Sequence, residues 1–183
     1  SNARAPRVLA ADRLAQAVSV RWSELPPGVR IASEWGSAPT PAGRIAQMRR
    51  ANRADRLKRG TADSASVFVD QLDVTTTNVL MRMHYMKQHQ VIDAWRQLGA
   101  AQTQLPALVG RLALEVHPIA GPRGGLGDAA SRSLVVKALC DGLVDAGVLE
   151  EDDGRFVAYE RHWAPVRGDR SGLQIDLVPA STS

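Results

Sequence analysis

Several stretches in the later part of the chain have an apolar residue at every second position. This period is typical of β-strands. In GRLALEVHPIAG (110–121), Leu112, Leu114 and Val116 alternate with polar residues, which predicts a half-buried strand. Further β-rich stretches are SVFVDQLDV (66–74), RFVAYERHW (155–163) and LQIDLVP (173–179). The last two flank the turn sequence GDRSG, so we expect them to pair as a hairpin.

A period of three to four residues predicts two helices between these strands. The apolar face of the first, from Gln88 to Leu98, consists of Val91, Ile92, Trp95 and Leu98. The apolar face of the second consists of Val136, Leu139, Cys140 and Leu143. Gly147 follows the second helix as a typical end signal. Trp95 and Cys140 are therefore expected in the core.

The first 66 residues have fewer large apolar positions and indicate helices joined by loops. Helical spacing runs from Val8 to Leu25, and a second helix is predicted from Thr40-Pro41 to Arg59, with the threonine as its cap. The stretch GTADSAS (60–66) is typical of a linker. TTTNVLMRMHYMK (75–87) is predicted as an irregular loop.

This order of elements predicts an α/β (α+β) fold with a small mixed β-sheet and helices packed on it. We expect a domain at 67–183 and a basic, mainly helical extension at 1–66. Ser1-Asn2-Ala3 resembles a remnant of an expression tag.

Charge divides the chain in the same way. Residues 1–66 carry 12 Lys and Arg against 5 Asp and Glu, whereas residues 67–183 carry 11 against 14. The basic helix can be a solvated surface, a protein-interaction element, or an arm that contacts phosphates through Arg49, Arg50 and Arg53.

Composition excludes several classes of protein. No apolar run approaches the roughly 18 residues of a membrane-spanning helix. Cys140 is the only cysteine, which excludes an intrachain disulfide and a multi-cysteine zinc site. These features favour a cytoplasmic protein without membrane partners.

Four consecutive acids, Glu150 to Asp153, follow the second helix in what we term the acidic turn. Asp128 follows the strand at 110–121, and the acidic turn precedes the strand at 155–163. If these strands are neighbours, Asp128, Glu151 and Asp152 converge as carboxylate ligands for Mg²⁺, or for Mn²⁺. Lys137 could then face a phosphate. The alternative is a solvated turn in which Lys137 pairs with Asp141.

Five segments occur in an order that resembles the RusA-like family of Holliday-junction resolvases, in its divergent actinobacterial and phage form. They are RMHYMKQHQVIDAWRQ (82–97), RLALEVHP (111–118), the loop ending at Asp128, KALCDGLVDAGVLEEDDGRFV (137–157) and APVRGDRSGLQIDLVP (164–179). The resemblance implies a homodimeric, Mg²⁺-dependent endonuclease that nicks branched DNA in recombination or repair.

The resemblance also implies roles for single residues. Asp128 matches the first aspartate of the family's Asp-x-Asp-Asn motif, Lys137 its essential lysine, and Glu151 and Asp152 its later acid pair. This gives Asp128, Lys137 and Asp152 as catalytic residues and Asp128, Glu151 and Asp152 as metal ligands. A DNA-facing region is implied at Arg82, His84 and Lys87.

The chain departs from the family pattern at Ala130 and Ser131, which replace the motif's second aspartate and its asparagine. The alternative function is therefore a catalytically impaired module that binds branched DNA without cleaving it. Tyr159 and Trp163 share a predicted strand face with Val157, so they are expected either in the core or as DNA-stacking residues.

Overall fold

The structure is a computed structural model, and it describes residues 18–21, 41–70, 76–102, 104–123 and 125–180. Its helices are α1 (Pro41–Arg59), α2 (Thr77–Arg82), α3 (Tyr85–Ala100) and α4 (Ser133–Asp145). Its strands are β1 (Val18–Arg21), β2 (Thr61–Ala62), β3 (Ala65–Asp70), β4 (Ala107–Leu108), β5 (Leu112–Ala120), β6 (Val157–His162), β7 (Val166–Arg167) and β8 (Gly172–Pro179).

A mixed sheet with strand order β1-β3-β8-β5-β6 forms the centre of the molecule. Strand β8 pairs antiparallel with both β3 and β5, whereas β6 and the short β7 pair parallel with β5. The helix α4 crosses over between the parallel strands β5 and β6. Strands β2 and β4 form a separate parallel pair. The predicted mixed sheet with packed helices is confirmed.

One face of this sheet forms the hydrophobic core with α3 and α4. The sheet contributes alternate residues of its three central strands: Val67, Val69, Leu112, Leu114, Val116, Leu173, Ile175 and Leu177. The helices contribute the apolar faces expected from their spacing, including Trp95, Leu98, Leu139 and Leu143. The predicted core positions of Trp95 and Cys140 are confirmed, since both are buried.

Helices α3 and α4 pack with their backbones in direct contact through two glycines. A Cβ atom at Gly99 would lie 2.1 Å from the backbone oxygen of Leu139, and one at Gly142 would lie 2.0 Å from that of Arg96. Any side chain at these positions would therefore separate the two helices.

The basic helix α1 packs against the C-terminal end of α4. Arg49 Nε donates a hydrogen bond to Asp145 Oδ1 at 2.8 Å, and Arg96 Nε of α3 donates to the other oxygen at 2.5 Å. Because Asp145 is only 2% exposed, these two guanidinium groups neutralise a buried charge. The contact joins three helices.

Two further arginines of α1 hydrogen-bond to backbone carbonyls around the end of α4. Arg53 donates to the oxygens of Val148 and Leu108 at 2.7 and 2.6 Å, and Arg56 donates to that of Ala146 at 2.8 Å. Carbonyls at a helix C-terminus lack partners within the helix, so these cations satisfy them.

Four local predictions differ from the structure. Residues 18–21 of the helix predicted from Val8 to Leu25 form β1, and the rest lies outside the described residues. The predicted linker 60–66 contains β2 and the start of β3, so the boundary between residues 66 and 67 falls inside β3.

The described part of the predicted loop 75–87 contains α2, whose N-terminus is capped by Thr76, and the start of α3. The predicted hairpin is also wrong, because β5 lies between β6 and β8 and pairs with both. The chain after β6 instead brings β8 next to the other side of β5. Strand β6 is therefore at the end of the sheet.

Replacing Gly142 with alanine should destabilise the protein, although alanine normally favours a helix over glycine. The new Cβ would collide with the backbone of α3, so we expect a loss of at least about 2 kcal/mol in the free energy of unfolding. Urea denaturation measures this loss.

Gly154→Ala is the matched control, since no heavy atom lies within 4 Å of its Cβ position. Its free energy of unfolding should stay within about 0.5 kcal/mol of wild type. Equal losses in both variants would contradict the close packing of α3 and α4.

Candidate functional site

Lys137 forms the centre of a charged cluster on α4. Its Nζ donates a hydrogen bond to Asp141 Oδ1 at 2.9 Å, one turn later on the helix, and another to Asp152 of the acidic turn. The chain after α4 thus returns alongside the helix. The structure brings together Lys137 and Asp152, two of the three predicted catalytic residues.

The acids hold Lys137 in its charged form. Partial burial acts to lower the pKa of the Lys137 ammonium, but hydrogen bonds to Asp152 and Asp141 outweigh this effect, and the pKa lies above its ordinary value. The side chain of Lys137 is still 60% exposed. A fixed positive charge beside two carboxylates is therefore open to solvent.

Cys140 lies beneath this cluster. Burial raises the pKa of the Cys140 thiol strongly, and the negative charges of Glu160, Asp152 and Asp141 raise it further. The thiol stays protonated and packs in the core. Glu160 of β6 therefore belongs to the same acidic surroundings as Asp141 and Asp152, which the sequence did not indicate.

Asp128 does not join this cluster in a three-carboxylate site. Within the described ranges, no three Asp, Glu, His or Cys side chains lie close enough together to hold a metal ion. The expectation that β5 and β6 are neighbours is confirmed. In the part of the chain that the structure describes, Asp128, Glu151 and Asp152 therefore do not form the predicted three-carboxylate group, and their binding of Mg²⁺ stays a prediction.

Asp128 instead lies exposed in the loop before α4, where its backbone oxygen accepts hydrogen bonds from the amide and hydroxyl groups of Ser131. Glu151 faces α1, with an oxygen 3.7 Å from Arg49 Nη1. The acidic turn therefore divides its charges among Lys137, α1 and Arg155.

An open groove of about 830 Å³ lies between α1 and the acidic turn. Five arginines and two glutamates line it, among them Arg49, Arg50, Arg53, Glu150 and Glu151. Arg49 and Arg53 are engaged with Asp145 and with backbone carbonyls, so their first role is to hold α1 in place. Arg50 is exposed.

The predicted DNA-facing region lies at an exposed corner where α2 meets α3. Arg82 ends α2, Lys87 lies in the first turn of α3, and His84 between them caps α3 by accepting a hydrogen bond from the Met86 amide at 3.4 Å. All three are exposed, and no acid occurs from Thr76 to Ile92. The structure brings these three residues together.

A polar row crosses the sheet face opposite the core, which sequence reasoning missed. Glu115 of β5 is paired in register with Asp176 of β8, and Ser66 Oγ donates to Asp176 Oδ1 at 2.5 Å. His117 Nε2 lies 3.4 Å from Asp176 Oδ2 without a hydrogen bond. Strand alternation marked Glu115 and His117 as facing away from the core, but strand order alone set their neighbours.

The same face carries Tyr159 and Trp163 of the β6 segment, because a bulge shifts the alternation. Leu112 pairs with Val157, but its neighbour Ala113 pairs with Tyr159, so Ala158 is inserted. Val157 packs on the core, whereas Tyr159 is 38% exposed. The expectation that Tyr159 shares the face of Val157 in the core is wrong.

A scan against protein-family models finds no match, and a search of curated proteins finds no significant match. The RusA-like resemblance stays a prediction. Within the ranges that the structure describes, no helix is long and apolar enough to cross a lipid bilayer.

Burial of His117 should make folding stability depend on pH. Burial lowers the pKa of the imidazole, and the charges of Asp176 and Glu115 offset this only in part. The unfolded state therefore binds the proton more tightly, and the stability present above about pH 6.5 is lost as pH falls. Urea midpoints at pH 7.5 and pH 5 measure the loss.

His117→Gln should flatten this dependence, because the variant has no imidazole to protonate. His89→Gln, at an exposed position on α3, should keep the dependence of the wild type. A His117→Gln profile identical to wild type would contradict the assignment.

Proposed function

We propose that the protein is a Mg²⁺-dependent, structure-selective DNA endonuclease of the RusA-like type, which acts as a homodimer on four-way junctions or other branched DNA in the cytoplasm. The observation that carries the proposal is the contact between Lys137 and Asp152. Fifteen residues separate them in the chain, and the fold brings together two side chains that the family resemblance marks as catalytic.

The donor set at Lys137 fits a hard divalent cation. Mg²⁺ is usually held by one or two carboxylates together with substrate phosphates and water. Asp141 and Asp152 both contact the Lys137 ammonium, so their carboxylates lie side by side and partly exposed. Asp141 takes the place that was predicted for Asp128 and Glu151. Mn²⁺ has the same preference for oxygen donors.

When bound, Mg²⁺ would supply an activated water and stabilise charge on a phosphodiester oxygen. The chain's own contribution is to place Lys137 beside that phosphate as a permanent positive charge. Exposure of the ammonium allows a phosphate oxygen to approach it, while Asp152 and Asp141 fix its position. The basic groove and the corner of Arg82, His84 and Lys87 would attract the DNA backbone.

The second candidate is a module that binds branched DNA without cleaving it. It is favoured by the absence of a three-carboxylate group in the described residues and by Ala130 and Ser131 in place of motif residues. In this case Lys137 serves only to pair with Asp141 and Asp152 and to bind a phosphate.

Asp152→Asn separates the two candidates. If the protein is an endonuclease, the variant should nick a labelled four-way junction at least about 100-fold more slowly than wild type in Mg²⁺. The slower rate follows because the neutral amide is a weaker ligand for the cation than a carboxylate and a weaker partner for the ammonium. Single-turnover gel assays in Mg²⁺ and Mn²⁺ measure the nicking rate.

Asp153→Asn is the control, since it removes the same charge from the adjacent residue, whose partner is Arg155. Its nicking rate should remain near that of wild type. If wild type binds the junction but nicks nothing in either metal, the binding module is correct and the endonuclease is excluded.

Arg50→Ala should weaken DNA binding in a salt-dependent way. The slope of log K against log salt concentration should fall by about 1 for each phosphate that the variant no longer neutralises. Arg59→Ala serves as the control, because Arg59 lies on the same helix outside the groove and pairs with Asp55 at 3.3 Å. Equal slopes in wild type and Arg50→Ala, measured by fluorescence anisotropy, would remove α1 from the DNA-binding surface.

A further inference from the structure

The outer strand β6 carries a row of planar side chains on the sheet face that lacks the core. The guanidinium of Arg161 lies 5.5 Å from the ring centres of both Tyr159 and Trp163. The Trp163 ring is nearly parallel to that of His117, at an interplanar angle of 8° and a centroid distance of 5.8 Å. Four flat groups thus follow one another along a single face.

Glu115 of the neighbouring strand β5 holds this row in place. Glu115 Oε2 accepts a hydrogen bond from Trp163 Nε1 at 3.1 Å, and its other oxygen accepts one from Arg161 at 3.4 Å. Arg161 therefore partly offsets the negative charge of this carboxylate. Ring orientation is fixed before any ligand arrives, which reduces the entropic cost of binding.

The row is also open to solvent. Tyr159 is 38% exposed and the side chain of Arg161 is 52% exposed, although both lie on a strand of the central sheet. The bulge at Ala158 turns both side chains away from the core. In a regular strand without this bulge, Tyr159 would face the core.

We propose that Tyr159, Arg161 and Trp163 form a stacking platform for unpaired bases of single-stranded DNA. Aromatic rings and guanidinium planes on a sheet face stack with bases of any sequence, and the cation adds attraction for the phosphates. The platform deepens the proposed function and rests on it in one respect: unpaired bases at a branch point would be what the protein recognises.

The guanidinium of Arg161 distinguishes nucleic acid from a neutral saccharide as the occupant of the row. Saccharides also stack on aromatic rings, but Arg161 between two rings provides a partner for a phosphate, which a neutral saccharide lacks. The platform lies on the sheet face opposite α4 and the Lys137 cluster, since the alternate residue Glu160 is paired with Leu114, whose face packs against α4. A strand bound there does not compete with the candidate cleavage site.

The test uses the full chain and a labelled 20-nucleotide oligo(dT), with a fully paired duplex of equal length, followed by fluorescence anisotropy. Trp163→Ala and Tyr159→Ala should each weaken oligo(dT) binding by about tenfold. Trp163→Phe keeps a ring to stack with and should stay within about threefold of wild type. Binding to the duplex should change little in all three variants.

Arg161→Ala should weaken oligo(dT) binding as well, whereas Arg59→Ala removes a charge of similar exposure on α1 and should not. Because Trp163 is hydrogen-bonded to Glu115, its variants are checked for folding by circular dichroism. Tyr159→Ala and Arg161→Ala, at exposed positions, keep the test decisive if Trp163→Ala fails to fold.

Unchanged oligo(dT) affinity in Tyr159→Ala and Arg161→Ala would overturn the platform, as would binding of a neutral oligosaccharide but not of oligo(dT). These outcomes are distinct from failure of the proposed cleavage. A protein that nicks junctions without using the platform refutes only the platform. A protein that binds oligo(dT) through the platform and nicks nothing in Mg²⁺ refutes only the endonuclease.

Discussion

The buried carboxylate of Asp145 is the constraint around which the helices are arranged. It lies at the last residue of α4, where the helix dipole disfavours negative charge, and burial makes an uncompensated charge there very costly. Arg49 from α1 and Arg96 from α3 neutralise it. Because the arginines come from two different helices, each helix must lie within reach of the same carboxylate. The glycine contact between α3 and α4 then sets how closely they approach.

This arrangement determines which arginines of α1 are engaged within the protein and which remain exposed. Arg49 and Arg53 are committed to the end of α4, while Arg50 on the same helix remains exposed. Strand β6 separates two candidate sites in a similar way. On the helix side, Asp141 and Asp152 hold Lys137; on the opposite side, a planar row faces solvent. One strand thus separates the Lys137 cluster from the row of planar side chains.

Periodicity predicted the elements well where burial was one-sided. The apolar spacing around Trp95 and Leu139 located α3 and α4, and the alternation at Leu112 located β5. Features that depend on how strands pair were harder to predict from the sequence. Asp152 faces Lys137 whereas the adjacent Glu151 faces α1, because the acidic turn packs between two helices, which no local pattern encodes. The exposed position of Tyr159 follows from a single inserted residue, Ala158, whose effect is to reverse every later side chain on the strand.

The strand order has a consequence for how the protein emerges from the ribosome. Strand β8 lies between β3 and β5, yet among the strands that the structure describes it comes last in the sequence. Neither β3 nor β5 can complete its hydrogen bonds until β8 has been synthesised. Until then both strands expose an unpaired edge, which favours pairing with the wrong strand.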